Sequence, residues 1–382
     1  MEGVILKKKK IKILFFIHDL SYGGAEKVLV NLVNNMDLNN FDVTVQTMFD
    51  VGIHKNKLAS HVKYIAGYKH MFRGNSYFFK LFSPKYLYKK FIKEDYDIVI
   101  SYLEGSPARI ISGCTSENIK KVCWIHIQLD DISRYKAGFR NLEEANTCYN
   151  SFDQLVCVSQ TVKDSFMKTA KDVLTDITVL YNTNETEEII EKSKEIVTDI
   201  MLDKDIINIC SVAKITETKG YDHLAHVHKR LINEGLRHHI YILGVGKQRE
   251  EIEKYLKENE LTDTFTFLGF KENPYKYVAN CDLYVCSSHR EGFSTAVTES
   301  LIVGTPVVST LCSGAQELLG YNNEYGLVVE NSEEGIYQGL KYMLANPNEL
   351  KRYKELAKER GKFFSREKTV KAVEEMLIQY KI

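Results

Sequence analysis

The sequence predicts an α/β protein of two domains, each a doubly wound parallel sheet. Three observations point there. Short apolar runs alternate with longer amphipathic segments, the pattern of parallel strands joined by crossover helices. The alternation occurs twice, once in each half of the chain. A length of 382 residues is enough for two domains of ordinary size, each burying its own core.

In the first half, Ile11 to Ile17, Val43 to Thr47, Asp97 to Ser101, Lys121 to Ile125 and Gln154 to Ser159 read as strands, with Ala25 to Asn35 as a helix. In the second half, Ile206 to Val212, His239 to Leu243, Phe265 to Leu268, Leu283 to Cys286 and Pro306 to Ser309 repeat the theme. A strand ends in the turn-forming residues Tyr181-Asn182-Thr183-Asn184, a junction ahead of the polar segment Glu185 to Lys204. The expected domains are therefore residues 1–182 and 183–365, followed by a last helix over 366–382. Open sheets of this kind bind ligands at the carboxyl ends of their strands, so a cleft between the domains is the default site.

Composition excludes several classes. Fifty-one Lys and Arg balance 51 Asp and Glu, so net charge gives no case for a nucleic-acid partner. Eight scattered cysteines, without a C-x2-C pair, indicate neither a disulfide framework nor a zinc site and read as buried thiols of a reducing cytosol. Lys7 to Lys10 ahead of Ile11 to Ile17 has the outline of a signal peptide, but Lys12 interrupts the apolar run and His18-Asp19 ends it. No later stretch is long enough to span a bilayer.

The chemistry concentrates in Glu291-Gly292-Phe293-Ser294-Thr295, which leads through Ala296 to Glu299. Two carboxylates eight apart flank an expected helix start, where glycine permits close backbone approach and first-turn N–H groups favour a phosphate. Such a pair also invites a hydrolase reading, with one acid protonating a leaving group. Lys214 and Lys219 flank a strand-to-helix turn and supply fixed cations suited to a departing diphosphate. Gly23-Gly24 lies between the first strand and the first helix. His126 ends the fourth strand, where open-sheet ligands sit, as a structural residue or a site residue. Glu104-Gly105-Ser106 is a weaker candidate of the same kind. Gly244-Val245-Gly246 reads as a tight turn and Glu317 as part of a surface helix.

These segments resemble retaining glycosyltransferases of family four, which have the GT-B fold of two Rossmann-like domains with parallel sheets facing a central cleft. Glu291 to Glu299 matches the family's E-x7-E signature. Gly23-Gly24-Ala25-Glu26 resembles its glycine loop, and Ser211 to Lys214 with Lys219 to Asp222 its basic segment. The resemblance implies donor-diphosphate contacts for Gly23, Gly24, Lys214, Lys219, Ser294 and Thr295. It gives the donor sugar and ribose to Glu291, Gly292, Phe293 and Glu299, the nucleobase to the region of Gly269, Phe270 and Lys271, and catalytic roles to His126 and Glu291. It implies a nucleotide-sugar co-substrate, expected to be UDP-linked, and no cofactor or metal; the acceptor is a glycan or lipid-linked hydroxyl. Ala213-Lys214 departs from the usual Gly-Arg, which keeps the charge but loses the guanidinium fork. A GT-B epimerase, or a silent GT-B partner protein, is the alternative reading.

Between Tyr68 and Lys93 the chain carries seven Lys or Arg and no acid, interleaved with aromatic residues. Ser83-Pro84 marks a helix start, and Lys85, Lys89 and Lys93 share one helical face. Lys80, Lys85, Lys89 and Lys90 are the expected contacts to an anionic membrane surface, on the inner face of the cell membrane. A domain-packing helix with a solvated basic side is the other reading.

Overall fold

A computed structural model describes residues 9–21 and 23–380. Lys7, Lys8 and the end of the last helix at Ile382 therefore lie outside the described residues. The chain forms two compact units: one ends at Thr183 and takes in the chain again from Glu367, and the other runs from Asn184 to Arg366.

The first unit holds a seven-stranded sheet in the order β3-β2-β1-β4-β5-β6-β7. Its strands are β1 (Ile11–Ile17), β2 (Phe41–Thr47), β3 (Lys63–Ile65), β4 (Ile98–Ser101), β5 (Lys120–Ile125), β6 (Gln154–Cys157) and β7 (Ile177–Val179). The second holds a six-stranded sheet, β10-β9-β8-β11-β12-β13. These strands are β8 (Ile207–Val212), β9 (His238–Leu243), β10 (Phe265–Gly269), β11 (Leu283–Cys286), β12 (Val307–Thr310) and β13 (Leu327–Val329). All the pairings between them are parallel.

Burial on both faces explains the unbroken apolar runs. Ile13 to Ile17 are wholly inaccessible, and in β11 Leu283 and Val285 are as well. Two strands were not legible: β3 and β13 are three-residue strands at sheet edges, with no fully buried residue in either, whereas the equally short β7 is the strand that ends before the Tyr181 junction. Such short edges carry too few residues for a periodic signal. In each sheet the strand order reverses after its first strand, at β1/β4 and at β8/β11. Those switch points open a crevice outside the carboxyl ends. The helix Arg366–Ile378 belongs from Glu367 onward to the first unit, where Asp37 N–H donates to Glu374 Oε1 (2.5 Å) and Tyr380 donates to Gln154 (2.8 Å).

The core of the second unit contains a histidine chain. His228 Nδ1 lies 2.8 Å from His238 Nε2, its other nitrogen meets Thr264 Oγ1 at 2.9 Å, and His238 Nδ1 lies 2.7 Å from the Leu236 carbonyl. Burial pulls His228 down to about 2 and His239 to about 4, and lowers His238 as well. These rings are neutral when folded, whereas in the unfolded chain they bind protons near pH 6.5. Their contribution is therefore fully present above about pH 6.5 and is lost as the pH falls below it, by about 1.4 kcal/mol per histidine per pH unit. The melting temperature should drop steeply between about pH 6.5 and 5. The His228→Gln, His238→Gln double variant should flatten that limb in a pH series of thermal melts; an unchanged slope contradicts the assignment.

Candidate functional site

In the second unit, strand order makes β8 and β11 neighbours, so the loops leaving their carboxyl ends meet. The turn after β8 is fastened to the segment after β11: His289 N–H donates to the Thr218 carbonyl (2.9 Å) and Ser287 Oγ to the Lys219 carbonyl (2.8 Å). Gly220 sits at φ +62, and a Cβ there would stand 2.2 Å from the Ser287 carbonyl oxygen, so only glycine allows the approach. The fastening delivers Lys219 Nζ to within 2.6 Å of Glu291 Oε1, which also accepts from Ser288 Oγ at 2.7 Å. Burial alone would lower the Lys219 ammonium, but the Glu291 carboxylate outweighs it and the net shift is upward. Of the two lysines flanking the turn, Lys219 is thus paired and Lys214 is exposed on its loop.

Ser294 caps the helix Thr295–Val303, its Oγ accepting from Val297 N–H at 3.4 Å, as the sequence pattern of a helix start requires. Glu299 follows on that helix with its side chain nearly buried. The Phe293 ring is buried against Phe364 at 5.8 Å, so it is spent on packing. Gly269 closes β10 at φ +73, and Phe270 beyond it is exposed. Lys271, next along, is held by Asp199 (2.5 Å), whose two oxygens also accept from Tyr277 at 2.7 Å. That network lowers the Asp199 carboxyl, through Lys271 first and Tyr277 second. The surface-helix reading of Glu317 fails: it is buried in the helix Ala315–Leu319, whose carbonyls at Glu317 and Leu318 accept from Arg360.

In the first unit, Gly23 caps the helix Gly24–Asn34 and Gly24 is its first residue. His126 leaves β5 nearly buried, its ring 4.9 Å from that of Tyr102. Its Nε2 is buried and, among the described residues, has no hydrogen-bond partner. Burial pulls the ring down to about 3, so it is neutral at physiological pH. The His126 N–H donates to Glu104 Oε2 at 2.9 Å, and burial pushes that carboxyl up. The weak candidate Glu104 and the stronger His126 therefore share one spot. Two groups were missed. His18, at the end of β1, sits with Nδ1 2.6 Å from Asp19 Oδ2, and Cys286 Sγ lies 4.0 Å from Glu291 Oε1. An adjacent His-Asp after a strand was the available signal for the first; nothing local marked the second.

The basic-aromatic segment folds as the helices Asn75–Lys80 and Pro84–Phe91. Phe79, Leu87 and Phe91 are buried, while Met71, Phe72, Tyr77, Phe78, Leu81 and Tyr86 are exposed. Two arginines take the carbonyls at the end of the first helix. Arg109, only 1% exposed, donates to Phe79 (3.0 Å) and Phe82 (2.6 Å) and pairs with Glu144; Arg140 donates to Lys80 (2.6 Å) and Leu81 (3.2 Å).

Residues 22–188 match the pattern described as Glycosyltransferase Family 4, and residues 191–360 the one described as Glycosyl transferases group 1. A Campylobacter jejuni protein, N-acetylgalactosamine-N,N'-diacetylbacillosaminyl-diphospho-undecaprenol 4-alpha-N-acetylgalactosaminyltransferase, is 30% identical over 94% of this chain and 96% of its own. The chain belongs to glycosyltransferase family 4. A putative colanic acid biosynthesis glycosyltransferase of Escherichia coli, WcaL, is 30% identical to this glycosyltransferase over 35% of each chain. Anabaena HepE, solved in complex with UDP, superposes with a TM-score of 0.74 at 16% identity, covering 97% of this chain and all of that one. At that identity the likeness shows the fold, and this glycosyltransferase has the GT-B fold. Among its described residues no helix is long and apolar enough to cross a membrane.

Proposed function

We propose that this glycosyltransferase moves a sugar from a UDP-sugar to a hydroxyl of a lipid-linked or other surface glycan, with retention of anomeric configuration and without a metal ion. The observation that carries the donor assignment is the Lys219–Glu291 pair at the β8/β11 switch point. An ammonium fixed there stabilises charge developing on a departing diphosphate, while the released Glu291 carboxylate accepts from sugar hydroxyls. Glu299 serves the ribose. Lys214, exposed on its loop, adds a second cation for the diphosphate. His126, neutral and with an unpaired Nε2, accepts a hydrogen bond from the donor sugar. Retention follows from front-face attack, the leaving phosphate taking the acceptor's proton.

Two facts about other proteins support this reading: HepE was solved with UDP, and the Campylobacter relative bears a name that specifies a diphospho-undecaprenol acceptor. The test is calorimetric and thermal-shift binding to UDP-, GDP- and ADP-sugars with a chelator present, followed by proton NMR of the product's anomeric signal. Stabilisation by UDP-sugars alone and a retained configuration are expected. Inversion, strict metal dependence or silence across the panel would refute the corresponding part.

The same proposal puts the exposed aromatic face at an anionic membrane surface. Tyr77, Phe78 and Leu81 supply the apolar contact, and Lys80, Lys85, Lys89 and Lys90 the charge, each worth about 1 kcal/mol near such a surface. The Lys85→Glu, Lys89→Glu, Lys90→Glu variant should leave phosphatidylglycerol vesicles in a sedimentation assay. Undiminished co-sedimentation would remove the membrane from the proposal.

A further inference from the structure

The helix Pro347–Gly361 ends beside the candidate site, and Arg360 in its last turn joins two segments there. Arg360 Nε donates to the Leu318 carbonyl (3.0 Å) and Nη2 to the Glu317 carbonyl, so one guanidinium takes the end of the helix Ala315–Leu319. Its central carbon also stands 4.9 Å from the Tyr325 ring, 4.5 Å from Phe363 and 5.0 Å from Phe364. Phe364 is wholly inaccessible and packs its ring 5.8 Å from that of Phe293, two positions after Glu291. From the other side Phe293 is closed in by Gly314, where a Cβ would stand 2.7 Å from the ring, and Gly314 caps the helix Ala315–Leu319. The contacts form a closed circuit, from Arg360 through that helix, Gly314, Phe293 and Phe364 back to Arg360. Gly361, the next residue, approaches the helix that bears Glu299: a Cβ there would stand 2.5 Å from the Leu301 carbonyl oxygen.

We propose that Arg360 is a positioning residue for donor binding, holding the Glu291-Gly292-Phe293 segment where Glu291 meets Lys219. The inference rests on the donor assignment made above. On one side of Glu291 the chain is fixed by Ser288 and by the turn that carries Lys219. On the other side it runs into Gly292-Phe293, and the Phe293 ring is the anchor. A ring anchors a loop only when the surface behind it stands still. That surface is Phe364, which lies beyond the helix end in the short turn Lys362–Phe364, and Arg360 is what binds this turn to the helix Ala315–Leu319.

The side chain suits this task and no other does. A guanidinium offers a flat face to the rings and, in the same plane, two donors for two carbonyls; an ammonium on a lysine stem supplies the charge without the face or the fork. Closely packed contacts pass a displacement on rather than absorbing it. A binding constellation tolerates shifts of only about 0.5 Å, so loosening the circuit at Arg360 moves the donor-binding loop out of register without removing any group that touches the nucleotide.

The experiment measures UDP binding to the full chain by calorimetry, at a temperature where circular dichroism shows every variant folded, together with hydrogen exchange by mass spectrometry. Arg360→Met should raise the Kd for UDP about tenfold, the scale of coupling between residues in contact. Exchange should quicken over residues 291–294 and 314–319 and stay unchanged over β9. Arg360→Lys, the variant to rely on if the methionine fails to fold, should fall between wild type and Arg360→Met. Adding Phe364→Leu to Arg360→Met should weaken UDP no further, since both break one circuit. Arg352, on the same helix, is the control: it lies 4.3 Å over the Tyr353 ring and pairs with Glu349 at 2.8 Å, so Arg352→Met should lower the melting temperature and leave the Kd alone. Wild-type affinity in folded Arg360→Met and Arg360→Lys while Lys219→Ala is weakened, or an equal loss in Arg352→Met, would overturn the positioning role and leave the donor assignment standing. Wild-type affinity in Lys219→Ala would overturn the donor assignment, and this inference with it.

Discussion

Replacing Lys219 with alanine is expected to lower kcat/KM for sugar transfer by about 10²–10³-fold, the usual effect of removing a fixed group that stabilises transition-state charge. The fold should survive, because the Glu291 carboxylate left behind keeps its bond from Ser288 Oγ. A stability loss of about 1–3 kcal/mol is the expected accompaniment. Lys219→Arg keeps the charge and should recover part of the activity, though a planar fork does not reproduce a point charge at 2.6 Å. Glu291→Gln should fall by a similar factor, and the Lys219→Ala, Glu291→Gln double variant by no more than the worse single, because the two act as a unit. Steady-state release of UDP, read beside a thermal melt for each variant, checks this. Turnover within threefold of wild type in the two single variants would remove the pair from the donor site.

The second large effect is structural. Arg109→Ala should destabilise the first unit by about 3–5 kcal/mol, the cost of stranding a partner of a buried ion pair. Arg109 is effectively inaccessible and ties together the Glu144 carboxylate and the carbonyls of Phe79 and Phe82, so its loss removes a charged donor from three acceptors at once, of which Glu144 keeps its bond from Arg140 N–H and Phe79 its bond from Phe82 N–H. Urea unfolding with proteolysis of the folded state separates the two expected consequences: a lower midpoint, and new cleavage near residues 75–82. Arg109→Met with Glu144→Leu should regain much of the midpoint without restoring protease resistance, because the carbonyls of Phe79 and Phe82 still lack the guanidinium that tied them together. A variant as stable and as resistant as wild type would show the buried guanidinium to be dispensable.

The long strands were legible because burial on two faces forces continuous apolar runs; β1 and β11 could hardly be read otherwise. The short edges β3 and β13 were not, since three residues half open to solvent satisfy neither a strand nor a loop pattern distinctively; β7 was marked only by the turn residues that follow it. At the candidate site, Ser294 as a cap and Glu299 on the following helix came directly from local spacing. The partnership of Lys219 with Glu291 did not. It joins residues 72 apart and depends on β8 and β11 being neighbours and on Gly220 admitting the Ser287 carbonyl. Glu317 failed for a related reason: its short helix is tied by its carbonyls to an Arg360 guanidinium far along the chain, which its own sequence does not reveal. In the basic-aromatic segment, the sequence counted charges and rings correctly but could not tell which rings face inward, because that is decided by Arg109 and Phe79 packing rather than by periodicity.

The resting Lys219–Glu291 pair also bears on the end of the catalytic cycle. On the donor reading, a spent nucleoside diphosphate must surrender the same ammonium that the Glu291 carboxylate reclaims at 2.6 Å. The protein thus carries a tethered competitor for its own by-product. On that reading the arrangement weakens retention of the spent diphosphate after each turnover and keeps the enzyme responsive to fresh donor while product accumulates.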